Sequence, residues 1–151
     1  MLSWPTRKNK KAAAAWNNLE QAVRNNNVQK ARKILRENKV DINKRNKQKY
    51  TLLHLALINS GFAMVKLLLQ QEGIEVNARM PNKETPLLYA VKSGMKEIVG
   101  LLLQQNGIDI DSTNKRGKTA LHVAALNDND DVFRKIFKML VLAGADTQIK
   151  D

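Results

Sequence analysis

Cysteine is absent from the chain, which excludes disulfides and thiolate metal sites and fits a reducing compartment. Aromatic residues fill only 5% of the 151 positions, so a core must be assembled mainly from Leu, Ile, Val and Ala. That supply favours packed helices over an all-β sandwich. No window approaches the roughly 20 consecutive apolar residues that a membrane-spanning helix requires. Residues Met1 to Lys11 carry Arg7, Lys8, Lys10 and Lys11 without the apolar run of a signal peptide, and Ala12 to Trp16 is too short to supply one. A cytoplasmic protein is expected. Glycine is sparse while Asn and Lys are abundant, a bias that hints at an AT-rich genome and at a secreted bacterial effector acting in a host cytoplasm.

What the chain has in quantity is aliphatic residues and positive charge. It is 43% hydrophobic and 26% charged, as a soluble globular domain would be. Lys and Arg number 26 against 14 Asp and Glu, for a formal net charge of +12. Such a charge attracts anionic partners of several kinds without choosing among them.

Comparing the chain with itself reveals a repeat at an offset of 34: Thr51, Thr85 and Thr119 fall in register, with Asn17 in the first copy. So do Leu19, Leu53, Leu87 and Leu121, then Ala22, Ala56, Ala90 and Ala124. Later in each unit come Leu35, Leu69 and Leu103, then Lys39, Gly73 and Gly107, and then Asn43, Asn77 and Asp111. Within a unit the periodicity is helical. Thr51 precedes the apolar run Leu52 to Ile58 as an N-cap hydroxyl should, Ser60 and Gly61 mark a turn, and Phe62 to Gln71 makes a second helix that Gly73 ends. The polar segment with Asn77, Pro81 and Asn82 predicts an extended hairpin leading to the next Thr.

These residues resemble the ankyrin repeat. The resemblance rests on Thr51-Leu52-Leu53-His54-Leu55-Ala56, Thr85-Pro86-Leu87-Leu88-Tyr89-Ala90 and Thr119-Ala120-Leu121-His122-Val123-Ala124-Ala125. It is carried further by Val65-Lys66-Leu67-Leu68-Leu69, Val99-Gly100-Leu101-Leu102-Leu103 and the exit Gly144-Ala145-Asp146. It implies an all-α solenoid of four helix-turn-helix units joined by hairpin-like loops, at about 12–44, 45–78, 79–112 and 113–151, behind a disordered or extended basic leader at 1–11. The spacing exceeds the family's usual length of about 33 by one residue, placed at Glu72 and Asn106. Glu20 and Lys39 stand where the family has His and Gly, so the first unit resembles a degenerate N-terminal cap with a polar outer face. Leu88 replaces a third His and suggests apolar packing there. The fourth unit is longer, with Asn127-Asp128-Asn129-Asp130-Asp131 extending its helix-helix turn and Asp131 expected as the N-cap of a helix over 132–142.

Chemistry has little to stand on. His54 and His122 lie two units apart at the family's structural position, and with no cysteine they cannot supply the three or four converging ligands of a zinc site. Asp128, Asp130 and Asp131 lack the ligand series of a calcium loop and fit a solvated turn instead. No phosphate-binding glycine loop, serine elbow or carboxylate pair occurs, so a protein that is not an enzyme, with no cofactor or metal, is expected.

The resemblance implies a protein-binding scaffold whose partner lies on a concave surface of hairpin tips and first helices. The positions so implied are Lys47, Gln48, Tyr50, Asn82, Glu84, Lys115, Arg116 and Lys118 at the tips. On the first helices they are Ile58, Asn59, Lys92, Ser93, Leu126 and Asn127. The tips and their flanks hold Lys44, Arg45, Lys47, Lys49, Arg79, Lys83, Lys115, Arg116 and Lys118 against Glu84 alone, which points to an acidic protein segment with Tyr50 as its aromatic anchor. Nucleic acid ranks below, because Tyr50 is the lone stacking aromatic at the tips. A membrane surface would be met only through the leader, by Trp4 and its four cations. The last helix offers Val132, Phe133, Ile136, Phe137, Met139, Leu140, Val141 and Leu142, more apolar positions than one buried stripe requires. Some must face outward, to be covered by further repeats or by another copy of the chain.

Overall fold

The computed structural model describes residues 6–148. Eight helices follow one another with no strand among the described residues: α1 (Arg7–Arg24), α2 (Val28–Glu37), α3 (Leu52–Ile58), α4 (Phe62–Leu69), α5 (Pro86–Lys92), α6 (Lys96–Leu103), α7 (Ala120–Ala125) and α8 (Asp131–Leu142). Odd helices pack on odd and even on even, so the four helix pairs form a two-layered stack. The core runs its whole length. Leu19, Leu53, Leu57, Met64, Leu68, Leu87, Leu102, Ile136 and Leu140 are fully buried within one continuous cluster.

Six of the eight helices start where a side chain satisfies an orphan amide, α4 and α6 being the exceptions. Thr51 and Thr119 accept from the backbone N–H of His54 and His122, while each histidine ring accepts in return from the threonine N–H. Thr85 caps α5 ahead of Pro86, whose missing N–H costs nothing in a first turn. The same chemistry lengthens α1 beyond expectation. Thr6 Oγ1 accepts from Asn9 N at 3.2 Å, so residues 7–11 are the opening turns of a helix rather than a disordered or extended leader. Four consecutive alanines carry that helix forward until Ala15 and Trp16 reach the core. Trp4 lies outside the described residues.

Two further boundaries differ from the sequence expectation. Asp130, not Asp131, caps α8 by accepting from Val132 N at 2.8 Å, and Asp131 sits inside the first turn, 2.6 Å from Lys135 Nζ. Helix α4 stops at Leu69 rather than Gln71, because Gln71 turns its amide back onto the Leu67 carbonyl at 2.9 Å.

Between units the loops are tied by a side-chain ladder. Asn43 donates to the Gly73 carbonyl at 2.7 Å and accepts from Glu75 N at 2.9 Å; Asn77 makes the same two bonds to Gly107 and Asp109 at the same distances. Asp111 continues the series by accepting from Asp146 N. Each amide therefore satisfies a donor and an acceptor of the following unit that no helix could pair.

The expected hairpins are tight turns without strands. Asn46 N donates to Tyr50 O and Lys49 N to Asn46 O, a pattern repeated at Met80–Glu84 and at Asn114–Lys118. Closing the turn puts Lys49, Lys83 and Gly117 at φ 70°, 68° and 71°, where only the glycine escapes a steric penalty. Lys83→Gly should accordingly raise stability by about 0.5–1 kcal/mol in urea unfolding, whereas Gly117→Lys should lower it. Leu68→Ala and Leu102→Ala remove fully buried side chains from the stack and should each cost about 2–5 kcal/mol in the same measurement; losses near zero for both would be incompatible with this packing.

Candidate partner-binding surface

The tips and the C-terminal ends of the odd helices recur at the repeat spacing, so whatever they expose is presented as rows. At the helix ends Ile58, Lys92 and Leu126 form one row, with Ile58 43% and Leu126 72% exposed. Asn59, Ser93 and Asn127 form the next and are also exposed. At the tips Lys47, Gln48, Asn82, Lys115 and Arg116 are exposed, while Tyr50 and Lys118 are half-buried.

Several of these residues hold the stack together, which changes what the surface offers. Glu84 was expected on the open tip but is only 8% exposed. Its carboxylate receives Lys92 Nζ at 2.7 and 2.9 Å and Asn82 Nδ2 at 2.8 Å, so three of the expected contact residues are bound to one another. Burial of a carboxylate is tolerable here because the ammonium and the amide replace its water. Asn59 donates its amide to the Val23 and Arg24 carbonyls at 3.2 and 3.0 Å, closing the end of α1. Tyr50 and the His54 ring pack nearly at right angles with centroids 6.1 Å apart, so part of Tyr50 is already covered.

The positive charge also divides in two. Arg45 Nη1 donates to Lys49 O within its own tip and to Arg79 O of the next, at 2.6 and 2.9 Å. Arg79 repeats this with Lys83 O and Thr113 O at 2.6 and 3.0 Å. These two guanidinium groups are clamps between adjacent tips. Lys44 lies over the Trp16 ring at 4.7 Å, a cation–π contact, and borders a cleft of about 480 Å³ between α1 and the first tip. Lys47, Lys49, Lys83, Lys115 and Arg116 are the tip cations that remain exposed beyond these contacts.

The expected structural roles of the histidine positions can be followed bond by bond. His54 accepts at Nδ1 from Thr51 N at 3.0 Å, which assigns the proton to Nε2, and that N–H donates to the Ala78 carbonyl at 2.6 Å. The ring thereby joins the start of a helix to the next loop. Glu20, at the equivalent place in the first unit, receives Asn46 Nδ2 at 3.0 Å and Arg24 Nη2 at 2.9 Å, reaching its own loop with reversed polarity. Leu88, in the third unit, is buried in the core as an apolar side chain.

Among the described residues no group of three or more His, Asp or Glu converges in a way that could hold a metal ion, and no helix is long and apolar enough to cross a membrane. The family model for ankyrin repeats (3 copies) matches residues 19–114 and 81–151. The chain belongs to the ankyrin-repeat family, whose members serve generally as protein-protein interaction modules. A comparison with curated proteins finds no match.

His54 is fully buried, and burial pushes its pKa below the ordinary 6.5, against the opposing effect of the Ala78 carbonyl; nearby Arg45 pushes it the same way as burial. Below 6.5 the unfolded chain takes up a proton that the native ring resists. The stability tied to the neutral ring is therefore present above that value and lost as pH falls through it, with a slope of at most about 1.4 kcal/mol per pH unit. Urea melts between pH 7.5 and 5.5 should show this decline, and His54→Gln should flatten it while lowering stability throughout.

Proposed function

We propose that the chain is a non-catalytic scaffold that binds an acidic protein segment along the row of tips and odd-helix ends. The observation that carries this reading is the pairing of two exposed rows. Lys47, Lys115 and Arg116 are exposed on the tips, and the apolar Ile58 and Leu126 are exposed at the C-terminal ends of the odd helices that follow. Apolar side chains flanked by cations suit a segment that mixes carboxylates with aliphatic or aromatic anchors, since the charges steer approach and the apolar contacts slow departure. The two tip clamps, Arg45 and Arg79, are left out of the contact surface because the Nη1 group of each is engaged in tying adjacent tips together. Tyr50, half-buried against His54, contributes only part of its ring. A cytoplasmic location, including a host cytoplasm, accords with this reading.

Reversing Lys47, Lys115 and Arg116 to Glu should weaken capture of the partner from cell lysate more than tenfold, chiefly through a slower association rate, with the helical circular dichroism unchanged. Capture should fall as salt rises and persist after nuclease treatment. Capture lost to nuclease would transfer the surface to nucleic acid, and capture indifferent to the triple reversal would move the site away from the tips.

A further inference from the structure

Positive charge is spread unevenly along the chain. Residues 1–49, through the first tip, hold fourteen of the 26 Lys and Arg and three of the 14 Asp and Glu, a surplus of eleven. Residues 50–151 hold the other twelve against eleven, so the later units are close to neutral in sum. The surplus meets a concave surface at the cleft of about 480 Å³ between α1 and the first tip. Arg24, Lys44, Arg45 and Lys47 line it with one carboxylate, Glu20. That carboxylate is already matched, by Arg24 Nη2 at 2.9 Å and Asn46 Nδ2 at 3.0 Å. Lys44 lies over the Trp16 ring and Arg45 Nη1 donates to two carbonyls, neutral partners that leave both charges uncancelled. Lys47 is exposed. Trp16, in the wall of the cleft, has a buried indole N–H with no acceptor among the described residues, so the chain itself does not supply the partner this donor calls for.

We infer that this cleft seats the carboxylates of the partner, so that an acidic segment on the row of tips is bound in one direction, with its acidic end at the first unit. The inference rests on the reading of that row as the partner surface. Lys47 and Gln48 join the two, since they stand on the first tip and also line the cleft. Three uncancelled cations in one concavity match a run of Asp and Glu better than a single acidic side chain. Exposed Asn17, Gln21 and Gln48 add amide donors for carboxylate oxygens in the same place. Other anionic partners fit less well. Trp16 is 5% exposed and has Lys44 over its ring, which leaves no open face on which a base could stack. No aliphatic side chain lines the cleft, so nothing there could enter the apolar boundary of a lipid surface. Beyond the first unit the row offers Ile58 and Leu126, which sets the apolar anchors of the segment toward the later units.

An octaglutamate peptide titrated into the full chain carrying Trp4→Phe tests this. Anisotropy of a fluorescein-labelled peptide gives the affinity, and with unlabelled peptide the emission of Trp16, then the sole tryptophan, gives the place. The expected result is saturable binding that shifts Trp16 emission and weakens steeply as salt rises. Lys44→Glu with Lys47→Glu should raise Kd at least tenfold with unchanged circular dichroism, and Lys47→Glu alone at least threefold. Lys115→Glu with Arg116→Glu, the same reversal of charge on the last tip, should raise it less than threefold. Absence of binding, equal losses from the two pairs, or binding that leaves Trp16 emission unchanged overturns the inference, while an acidic partner elsewhere on the tips still stands. Tighter binding of an octathymidylate than of octaglutamate overturns the carboxylate as occupant. Peptide held at the cleft together with lysate capture indifferent to reversal of Lys47, Lys115 and Arg116 keeps the carboxylate site and removes the row as the partner surface.

Discussion

A pair of short helices has two broad apolar sides and can bury only one of them against its own partner helix. Everything else in this protein follows from the need to cover the other. The shortest helix, α7, has six residues, well below the length at which an isolated helix holds in water, so its backbone order depends on the neighbours it packs against. Stacking supplies the missing surface, and the cost is that each loop must cross from one unit to the next without stranding its amides and carbonyls. Asn43 and Asn77 solve that problem at the loop bases, and Arg45 and Arg79 at the tips.

This constraint explains which parts of the structure were legible from sequence. Helix caps and buried faces are set by residues within a few positions of one another, so Thr51, Thr85 and Thr119 marked three helix starts to the residue. The asparagine register was visible too, though the two bonds each side chain makes were not. What stayed hidden were contacts spanning about one repeat, where a side chain's partner is a backbone atom of another unit. Arg45 and Arg79 therefore counted as surface charge, and Asn59 as a contact residue, until their acceptors were in place. Glu84 was misplaced for a related reason: its burial depends on Lys92, eight residues away across a turn and a helix. The start of α1 lies at Thr6, whose capping bond is as local as the others, ahead of a run of basic residues that has the composition of a solvated leader.

The same division shapes the electrostatics. A formal charge of +12 looks like a single property of the chain, yet it separates into cations fixed by bonds and cations held in water. The fixed ones lower the cost of loop carbonyls packed close together. The solvated ones give the tips a positive field that extends roughly a Debye length, about 8–10 Å at ordinary ionic strength, so they influence a partner before any contact forms.

Consider finally the reach of the asparagine ladder. Each rung ties a loop to the loop of the next unit and to no other, and the rungs at Asn43 and Asn77 are superimposable in partners and distance. A gene segment encoding one whole unit could thus be copied or deleted between those rungs, and every remaining amide would still meet the carbonyl and N–H that it meets now. The architecture keeps its internal bonding under changes of length that would destroy a fold with long-range pairings, which leaves the extent of the binding surface open to adjustment by duplication alone.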